Sequence, residues 1–232
     1  MSWGSATGLA GAGMARAGEP DPGEAAASAA ADATRALAAR LAARVHRRTS
    51  QRQGWPSVMF IDGRSGSGKT TLAEAVAAEL TAAGCTPPRV IGMDELYPGW
   101  DGLAAGSASV AGMLRSGRYQ RYDWYAEDFA PEIALDPGAP LIIEGCGSLT
   151  PESLAAAREL GEVYAVWIEC PAPLRRSRAL ARDGDMFAPH WDSWASQEAV
   201  HFARAQPVAR VDEMLHVGGG TPATGARTSS SA

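Results

Sequence analysis

A short glycine-rich stretch, residues 62–71, has the residue types and spacing best suited to chemistry in this chain. It reads DGRSGSGKTT and matches the pattern G-x-x-x-x-G-K-[ST] at Gly63, Gly68, Lys69 and Thr70. In this pattern the glycines let backbone N–H groups surround phosphate oxygens, the lysine reaches the outer phosphates, and the hydroxyl is suited to Mg²⁺. The stretch therefore predicts a phosphate-binding loop (P-loop), with the binding residues Gly63, Arg64, Ser65, Gly66, Ser67, Gly68, Lys69, Thr70 and Thr71.

The lysine of this loop differs from every other basic residue of the chain. Lys69 is the only lysine, and the rest of the 21 lysine and arginine residues are arginines. Arginine carries a bulky planar fork, whereas lysine carries a compact ammonium on a flexible stem. An ammonium kept at this one position indicates that the chemistry there requires it.

The elements around the loop predict an α/β fold. An apolar run at 57–61 precedes the loop, and helical spacing follows it at 71–83. Further strands are predicted at 89–93, 140–143, 163–168 and 213–217, and further helices at 102–120, 151–160 and 173–185. Ligands bind outside the carboxyl ends of the strands in an open parallel sheet, so side chains just after these strands should lie near the loop.

Two carboxylates directly follow predicted strands. Asp94 ends the second strand in an acidic and aromatic loop, and we expect it to lie near the P-loop. Glu144 follows the third strand, a position typical of an acidic residue that holds Mg²⁺ directly or through water. Which of the two serves the metal and which acts as a base stays open at this stage.

A helix over 173–185 would present Arg175, Arg178 and Arg182 on one face, since they fall at i, i+3 and i+7. Such a face could clamp a transferring phosphoryl group through planar donors. The alternative is a solvated face paired with the nearby aspartates.

Residues 118–125 combine aromatic and basic side chains and could hold a polar, ring-bearing substrate. The alternative is a surface loop with half-buried rings. Further along, Trp191 and Trp194 lie one turn apart, and we expect them to pack in the interior.

Composition favours a small-molecule partner over a polymer. The net charge of -5 and the pI near 5.4 provide no basic field for nucleic acid. The three cysteines are scattered, which predicts reduced thiols in a cytoplasmic protein. The sequence has no long apolar run, so we expect no membrane partner. Homo-oligomerisation stays open. We expect a disordered tail at 1–23, one P-loop domain with an N-terminal helix at 24–217, and a disordered tail at 218–232.

Together these residues resemble the uridine kinase and phosphoribulokinase branch of P-loop kinases over about residues 55–217. The resemblance rests on the P-loop, on Met93-Asp94 with Tyr97, on Tyr122-Asp123, on Glu144-Gly145 and on a lid pattern at 175–183. It implies a P-loop NTPase three-layer sandwich with a five-stranded parallel sheet and a helical lid. It also implies MgATP as the phosphoryl donor.

The same resemblance implies roles for individual residues. Asp94 would contact and deprotonate an acceptor hydroxyl, and Asp123 would hold a sugar or its equivalent. Catalytic roles fall to Lys69, Asp94, Arg178 and Arg182, acceptor binding to Asp94, Tyr97, Arg121, Tyr122 and Asp123, and metal binding to Thr70 and Glu144.

The implied activity is an ATP-dependent small-molecule kinase whose first candidate acceptor is a nucleoside. A nucleoside monophosphate or an antibiotic hydroxyl is an alternative acceptor, because Arg118 and Arg121 could bind an acceptor phosphate. A P-loop ATPase or a nucleotide-binding regulatory protein is an alternative class. A guanine-nucleotide switch is disfavoured, since its Asn-Lys-x-Asp motif would need a second lysine.

Overall fold

The computed structural model describes residues 31–44 and 58–218. Almost all of them belong to one compact unit that begins at Thr34. The predicted tail at 1–23 and the residues after 218 lie outside the described part of the chain. Of the predicted N-terminal helix, residues 31–44 are described and are helical (α1).

Seven strands and five further α-helices follow α1 in the described residues. The strands are β1 (Val58–Gly63), β2 (Arg89–Gly92), β3 (Arg118–Asp123), β4 (Asp128–Ala134), β5 (Leu141–Glu144), β6 (Val163–Glu169) and β7 (Glu213–His216). The helices are α2 (Lys69–Ala82), α3 (Leu103–Ser116), α4 (Pro151–Leu160), α5 (Ala172–Phe187) and α6 (Trp191–Ala205).

Five strands form one sheet in the order β2-β5-β1-β6-β7, and all of its neighbouring strands are parallel. The predicted five-stranded parallel sheet is therefore confirmed. The central strand β1 is buried along its whole length, which explains its continuous apolar run.

Helices cover both faces of the sheet and make three layers. Phe60 of β1 packs in one core cluster with side chains of α3, α4 and α6, whereas Ile61 packs in a second cluster with α1 and α2. Alternate residues of a strand point to opposite faces, so one short strand supplies both cores.

The parallel register brings the predicted site residues to one edge of the sheet. Ile61 and Gly92 both lie opposite Glu144, and the Gly145 amide donates to the Ile61 carbonyl at 3.1 Å. The P-loop after β1, Asp94 after β2 and Glu144 at the end of β5 therefore meet at the carboxyl ends of the strands.

The sequence analysis did not predict the hairpin of β3 and β4, which contains the aromatic stretch at 118–125. The register of this antiparallel pair shifts between Gln120 and Tyr122, so the alternation of buried and exposed residues is broken there. A period-2 pattern is the main sequence signal of a strand, and the irregularity removes it.

The predicted arginine-rich helix is also longer and is bent. The backbone of α5 is non-helical at Gly184, with φ 51° and ψ −131°, so the helix continues to Phe187 across a kink. Glycine tolerates this positive φ at low cost. Beyond the kink, Phe187 is buried and stacks on Trp100.

Candidate active site

The P-loop connects β1 to the N-terminus of α2. Gly66 and Gly68 adopt φ of 77° and 96°, in the left-handed region that favours glycine. Gly66 is also crowded, because a Cβ atom there would lie 2.1 Å from the carbonyl oxygen of Arg175 in α5. Backbone N–H groups at the start of a helix, where the helix dipole favours anions, are suited to bind phosphate.

Lys69 lies inside this loop with only 8% of its surface exposed. Its Nζ donates to the Arg64 carbonyl at 3.0 Å and lies 3.6 Å from Cys146 Sγ. Burial by itself would lower the pKa of Lys69, but the nearby Cys146, Glu144 and Glu198 outweigh it and raise the pKa. The ammonium therefore stays charged at neutral pH, which phosphate binding requires.

Thr70 and Glu144 meet beside the lysine. Thr70 Oγ1 donates to Glu144 Oε1 at 2.9 Å. Burial raises the pKa of Glu144, while Lys69 and the Thr70 hydrogen bond act in the opposite direction. A Cβ atom on Gly92 would lie 2.2 Å from Asp94 Oδ1, so this glycine makes room for the Asp94 carboxylate, whereas Glu144 Oε1 would lie at an ordinary contact distance of 3.5 Å.

The oxygen donors of this corner fit Mg²⁺. A hydroxyl and two carboxylates are hard ligands, and Mg²⁺ is commonly bound by one or two carboxylates together with substrate phosphates and water. In the described residues no three His, Cys, Asp or Glu side chains form a closed metal site. A hydroxyl and two carboxylates beside a phosphate-binding loop suit a metal ion that phosphate oxygens also bind.

All of these groups open into one cavity of about 560 Å³. Part of the lining, which we call the phosphate end, is polar and comes from the P-loop, Asp94, Glu144, Arg182 and Asp183. Another part, which we call the aromatic chamber, consists of rings, namely Tyr97, Trp100, Trp124, Tyr125, Phe187 and Trp194.

Five of the six rings of the aromatic chamber contact another of its rings, and the sixth, Tyr125, is exposed. Trp100 lies 5.0 Å from Trp124 in a tilted arrangement and stacks on Phe187 at 5.4 Å and on His190 at 4.2 Å. Trp124 Nε1 donates to the Asp94 carbonyl at 2.9 Å, which ties the chamber to the carboxylate residue beside the P-loop.

Two buried carboxylates that the sequence analysis did not select support the P-loop from behind. Asp62 is fully buried and accepts hydrogen bonds from the backbone N–H groups of Gly63, Gly147 and Leu149 at 2.7, 3.0 and 3.0 Å. Burial raises the pKa of Asp62 to about 7, although these hydrogen bonds and Lys69 favour the charged form. Asp62 joins the start of the P-loop to the loop after β5.

Glu198 of α6 is the second of these carboxylates and is 1% exposed. It accepts from the Ser65 backbone N–H at 2.7 Å and from Arg64 Nη1 at 3.4 Å, and Cys146 Sγ lies 3.3 Å from it. A sequence signal for this contact was lacking, because Glu198 lies 133 residues from Ser65. Only the packing of α6 against the P-loop brings the two together.

The three arginines of α5 that were predicted to share one face have different surroundings. Arg182 lines the cavity and makes a bidentate ion pair with Asp183. The hydrogen bond to Asp183 raises the pKa of Arg182. Arg175 is buried and donates to the carbonyls of Cys170 and Ser65, each at 3.0 Å. Arg178 is exposed, lies 3.9 Å from Cys170 Sγ and does not line the cavity.

Of the acceptor-binding residues implied by the resemblance, some line the cavity and others do not. Tyr97 lines the cavity and donates to the Cys146 carbonyl at 2.7 Å, but Arg121, Tyr122 and Asp123 do not line it. Asp123 Oδ1 instead accepts from the backbone N–H groups at 125 and 126, and these hydrogen bonds lower the pKa of Asp123.

The fold and the loop together define the class of protein. A parallel sheet in the order β2-β5-β1-β6-β7, with a G-x-x-x-x-G-K-T loop between its central strand and a helix, is the P-loop NTPase fold. Every helix in the described part of the chain is too short or too polar to cross a membrane.

Two solved structures are similar to this chain over most of its length. A possible uridine kinase from Bacillus stearothermophilus is 19% identical with a TM-score of 0.52, and the match covers 78% of this chain and 98% of that one. A protein from Silicibacter sp. TM1040 proposed to be a fructose transport system kinase is 22% identical with a TM-score of 0.51, and the match covers 76% and 98%. No family model and no curated protein matches the chain. At these identities the likeness establishes the fold.

Proposed function

We propose that this protein is an ATP-dependent kinase that transfers the γ-phosphoryl group of MgATP to a hydroxyl of a small molecule, with a nucleoside as the first candidate. One observation carries the proposal: the P-loop lysine, the Thr70–Glu144 pair and Asp94 face a single cavity that continues into the aromatic chamber. One cavity thus has a phosphate end and room for a second, ring-bearing molecule. The kinase names of the two similar structures agree with this reading.

The phosphate end would bind the donor. The amides of the P-loop and the Lys69 ammonium would hold the outer phosphates, and Thr70 with Glu144 would hold Mg²⁺. When bound, Mg²⁺ neutralises charge on the phosphate oxygens during transfer. Arg182 reaches the same space from α5 and would stabilise charge on the transferring group.

Asp94 is the candidate base for the acceptor hydroxyl. It lies at the boundary between the phosphate end and the aromatic chamber, and Trp124 holds its backbone carbonyl. A carboxylate at this boundary can accept the hydroxyl proton as the oxygen attacks the phosphorus. Phosphoryl transfer otherwise depends mainly on positioning and charge, which the rigid sheet edge supplies.

The test is the release of ADP from MgATP in the presence of nucleosides, nucleotides, sugars, pantothenate and aminocyclitol antibiotics. Lys69→Ala should lower turnover by a factor on the order of a thousand, because it removes a preorganised charge from the phosphates. Arg176→Ala changes an exposed basic residue of α5 and serves as the matched control. Near-normal turnover of Lys69→Ala, or ATP binding without any phosphorylated product, would refute the proposal.

A further inference from the structure

The charges and rings around the aromatic chamber limit the acceptors that it can hold. We propose that the acceptor is a neutral alcohol that carries a flat ring, that the site recognises it through the ring, and that a separate anionic group on the acceptor is rejected. This inference rests on the proposed kinase function, because it concerns the second substrate of the same cavity.

The shape and chemistry of the walls favour a ring. Ring contacts fix most of the chamber side chains: Tyr97 and Trp194 meet edge-to-face at 4.9 Å, and Trp100 and Trp124 meet in a tilted arrangement at 5.0 Å. Aromatic walls gain both from apolar burial and from stacking with a flat ligand. A small acyclic polyol would leave most of this apolar surface without a partner.

The charges around the chamber disfavour an anion. In the described residues the cations that line the cavity are Lys69 and Arg182, and both interact with Glu144, the residue that pairs with Thr70 of the P-loop. Both would serve the phosphates of the donor, and Asp94 and Asp183 add negative charge to the lining of the cavity. An acceptor phosphate or carboxylate would be desolvated between aromatic faces and near a carboxylate, with no cation to compensate.

The arginines that could have bound an acceptor phosphate lie elsewhere. Arg118 pairs with Glu132 across the hairpin at 2.9 Å, and neither Arg118 nor Arg121 lines the cavity. A phosphorylated acceptor, which the sequence left open, therefore lacks a partner in this part of the structure.

The carboxylate that the family resemblance assigns to a sugar diol does not line the cavity. Asp123 is the residue that the family resemblance suggests for this role, but its Oδ1 accepts from Tyr125 N at 2.9 Å and Ala126 N at 3.1 Å. These bonds close the turn of the hairpin, while the neighbouring Trp124 and Tyr125 rings line the cavity. The hairpin therefore presents rings to the acceptor and uses its aspartate to hold the turn.

Tyr125 is the ring best placed to contact a bound acceptor from the entrance. It is 95% exposed, yet it lines the cavity. Its side chain has few contacts to lose, so it can stack on a flat ligand without cost to the packing of the protein.

Equilibrium dialysis of the full-length protein with matched neutral and anionic compounds tests the inference. The pairs are uridine with uridine 3′-monophosphate and 4-methylbenzyl alcohol with 4-(hydroxymethyl)benzoate, since each second member adds an anion away from the free hydroxymethyl group. The neutral member should bind at least about tenfold more tightly in each pair, because desolvation of the anion costs more than 1.4 kcal/mol. Deoxyuridine lacking the 2′ hydroxyl should bind within about threefold of uridine, since no diol contact is lost.

Equal or tighter binding of an anionic member would overturn the inference, and so would a tenfold loss on removing the 2′ hydroxyl. Failure of every neutral compound to bind would overturn it as well. These outcomes are independent of phosphoryl transfer, because dialysis needs no turnover. Preferential binding of the neutral compounds without ADP release would contradict the proposed kinase activity and leave the ring-binding inference standing.

A pair of variants on the hairpin locates the binding site. Tyr125→Ala should weaken uridine binding about threefold to tenfold, the usual worth of one aromatic contact. Phe129→Ala is the control, because Phe129 is 42% exposed on the same hairpin and does not line the cavity. Equal effects of the two changes would contradict the role of Tyr125, and the far-UV circular dichroism of both variants checks that the fold is intact.

Discussion

Glu198 provides the most direct test of how the P-loop is held in its shape. Its carboxylate bonds the Ser65 backbone N–H at 2.7 Å and Arg64 at 3.4 Å from a position that is 1% exposed. In Glu198→Ala the Ser65 amide loses its partner inside the protein, and Arg64 loses its ion pair. Both losses should destabilise the protein and loosen the loop.

The size of the effect follows from these contacts. Removing one partner of a fully buried ion pair costs about 3–5 kcal/mol. The Arg64 side chain is 33% exposed and can turn towards water, so the loss of its ion pair costs only about 1 kcal/mol, as for an exposed pair. The unpaired Ser65 N–H adds about 1–3 kcal/mol. We therefore expect a total loss of roughly 2–4 kcal/mol, which corresponds to a fall in Tm of about 4–16 °C for a domain of this size.

The assay is urea unfolding followed by circular dichroism, with ATP affinity measured by titration calorimetry at a temperature where the variant is folded. Val200→Ala on the same helix is the control, because Val200 is 54% exposed and its truncation should change stability by less than about 0.5 kcal/mol. Glu198→Gln separates charge from shape and should fall between the two, since its amide oxygen can still accept from Ser65. If Glu198→Ala is no less stable than Val200→Ala, the buried contact does not support the loop.

Three further outcomes test the site. Burial raises the pKa of Asp62 from 3.8 to about 7, so between these pH values the folded state holds a proton that the unfolded state has lost. The free energy of unfolding of the wild type should therefore fall by up to about 4 kcal/mol between pH 4 and 7, relative to that of Asp62→Asn. A flat difference in Tm over this range would show that the carboxyl is ionised throughout. In urea unfolding, Gly66→Ala should lower the free energy of unfolding by at least about 2 kcal/mol more than Gly84→Ala. Both glycines have a positive φ (77° and 80°), but only a Cβ atom at position 66 would collide with the Arg175 carbonyl. Equal losses would mean that the structure relieves this crowding. Asp94→Asn should lower kcat about a hundredfold or more and keep ATP affinity, as expected for a general base, whereas weaker ATP binding with normal kcat would assign Asp94 to the nucleotide.

The phosphate end of the site could be read from the sequence because its residues are local. Eight consecutive positions supply the P-loop, and a short apolar strand and a helix on either side supply its context. Asp94 and Glu144 were also found, because parallel strands bring their carboxyl ends to one edge and each residue follows a strand. The fold class and the five strands of the sheet follow from the same patterns.

The supporting carboxylates and the acceptor end could not be read in this way. Glu198 meets Ser65 across 133 residues, and Asp62 is bound by amides from a loop beyond β5, so no spacing in the chain indicates either contact. The lid arginines show the same limit, since helical periodicity placed three of them on one face but could not say that only Arg182 lines the cavity.

By itself, then, the sequence determined the phosphate chemistry, because backbone amides, one lysine and one hydroxyl act through spacing along the chain. The tertiary structure decided which rings and charges surround the second substrate. Trp100, Trp124 and Trp194 come from separate elements, and only their packing makes a chamber. The reason is physical: a turn of backbone is specified by its own residues, whereas a cavity is specified by distances between elements that no local pattern encodes.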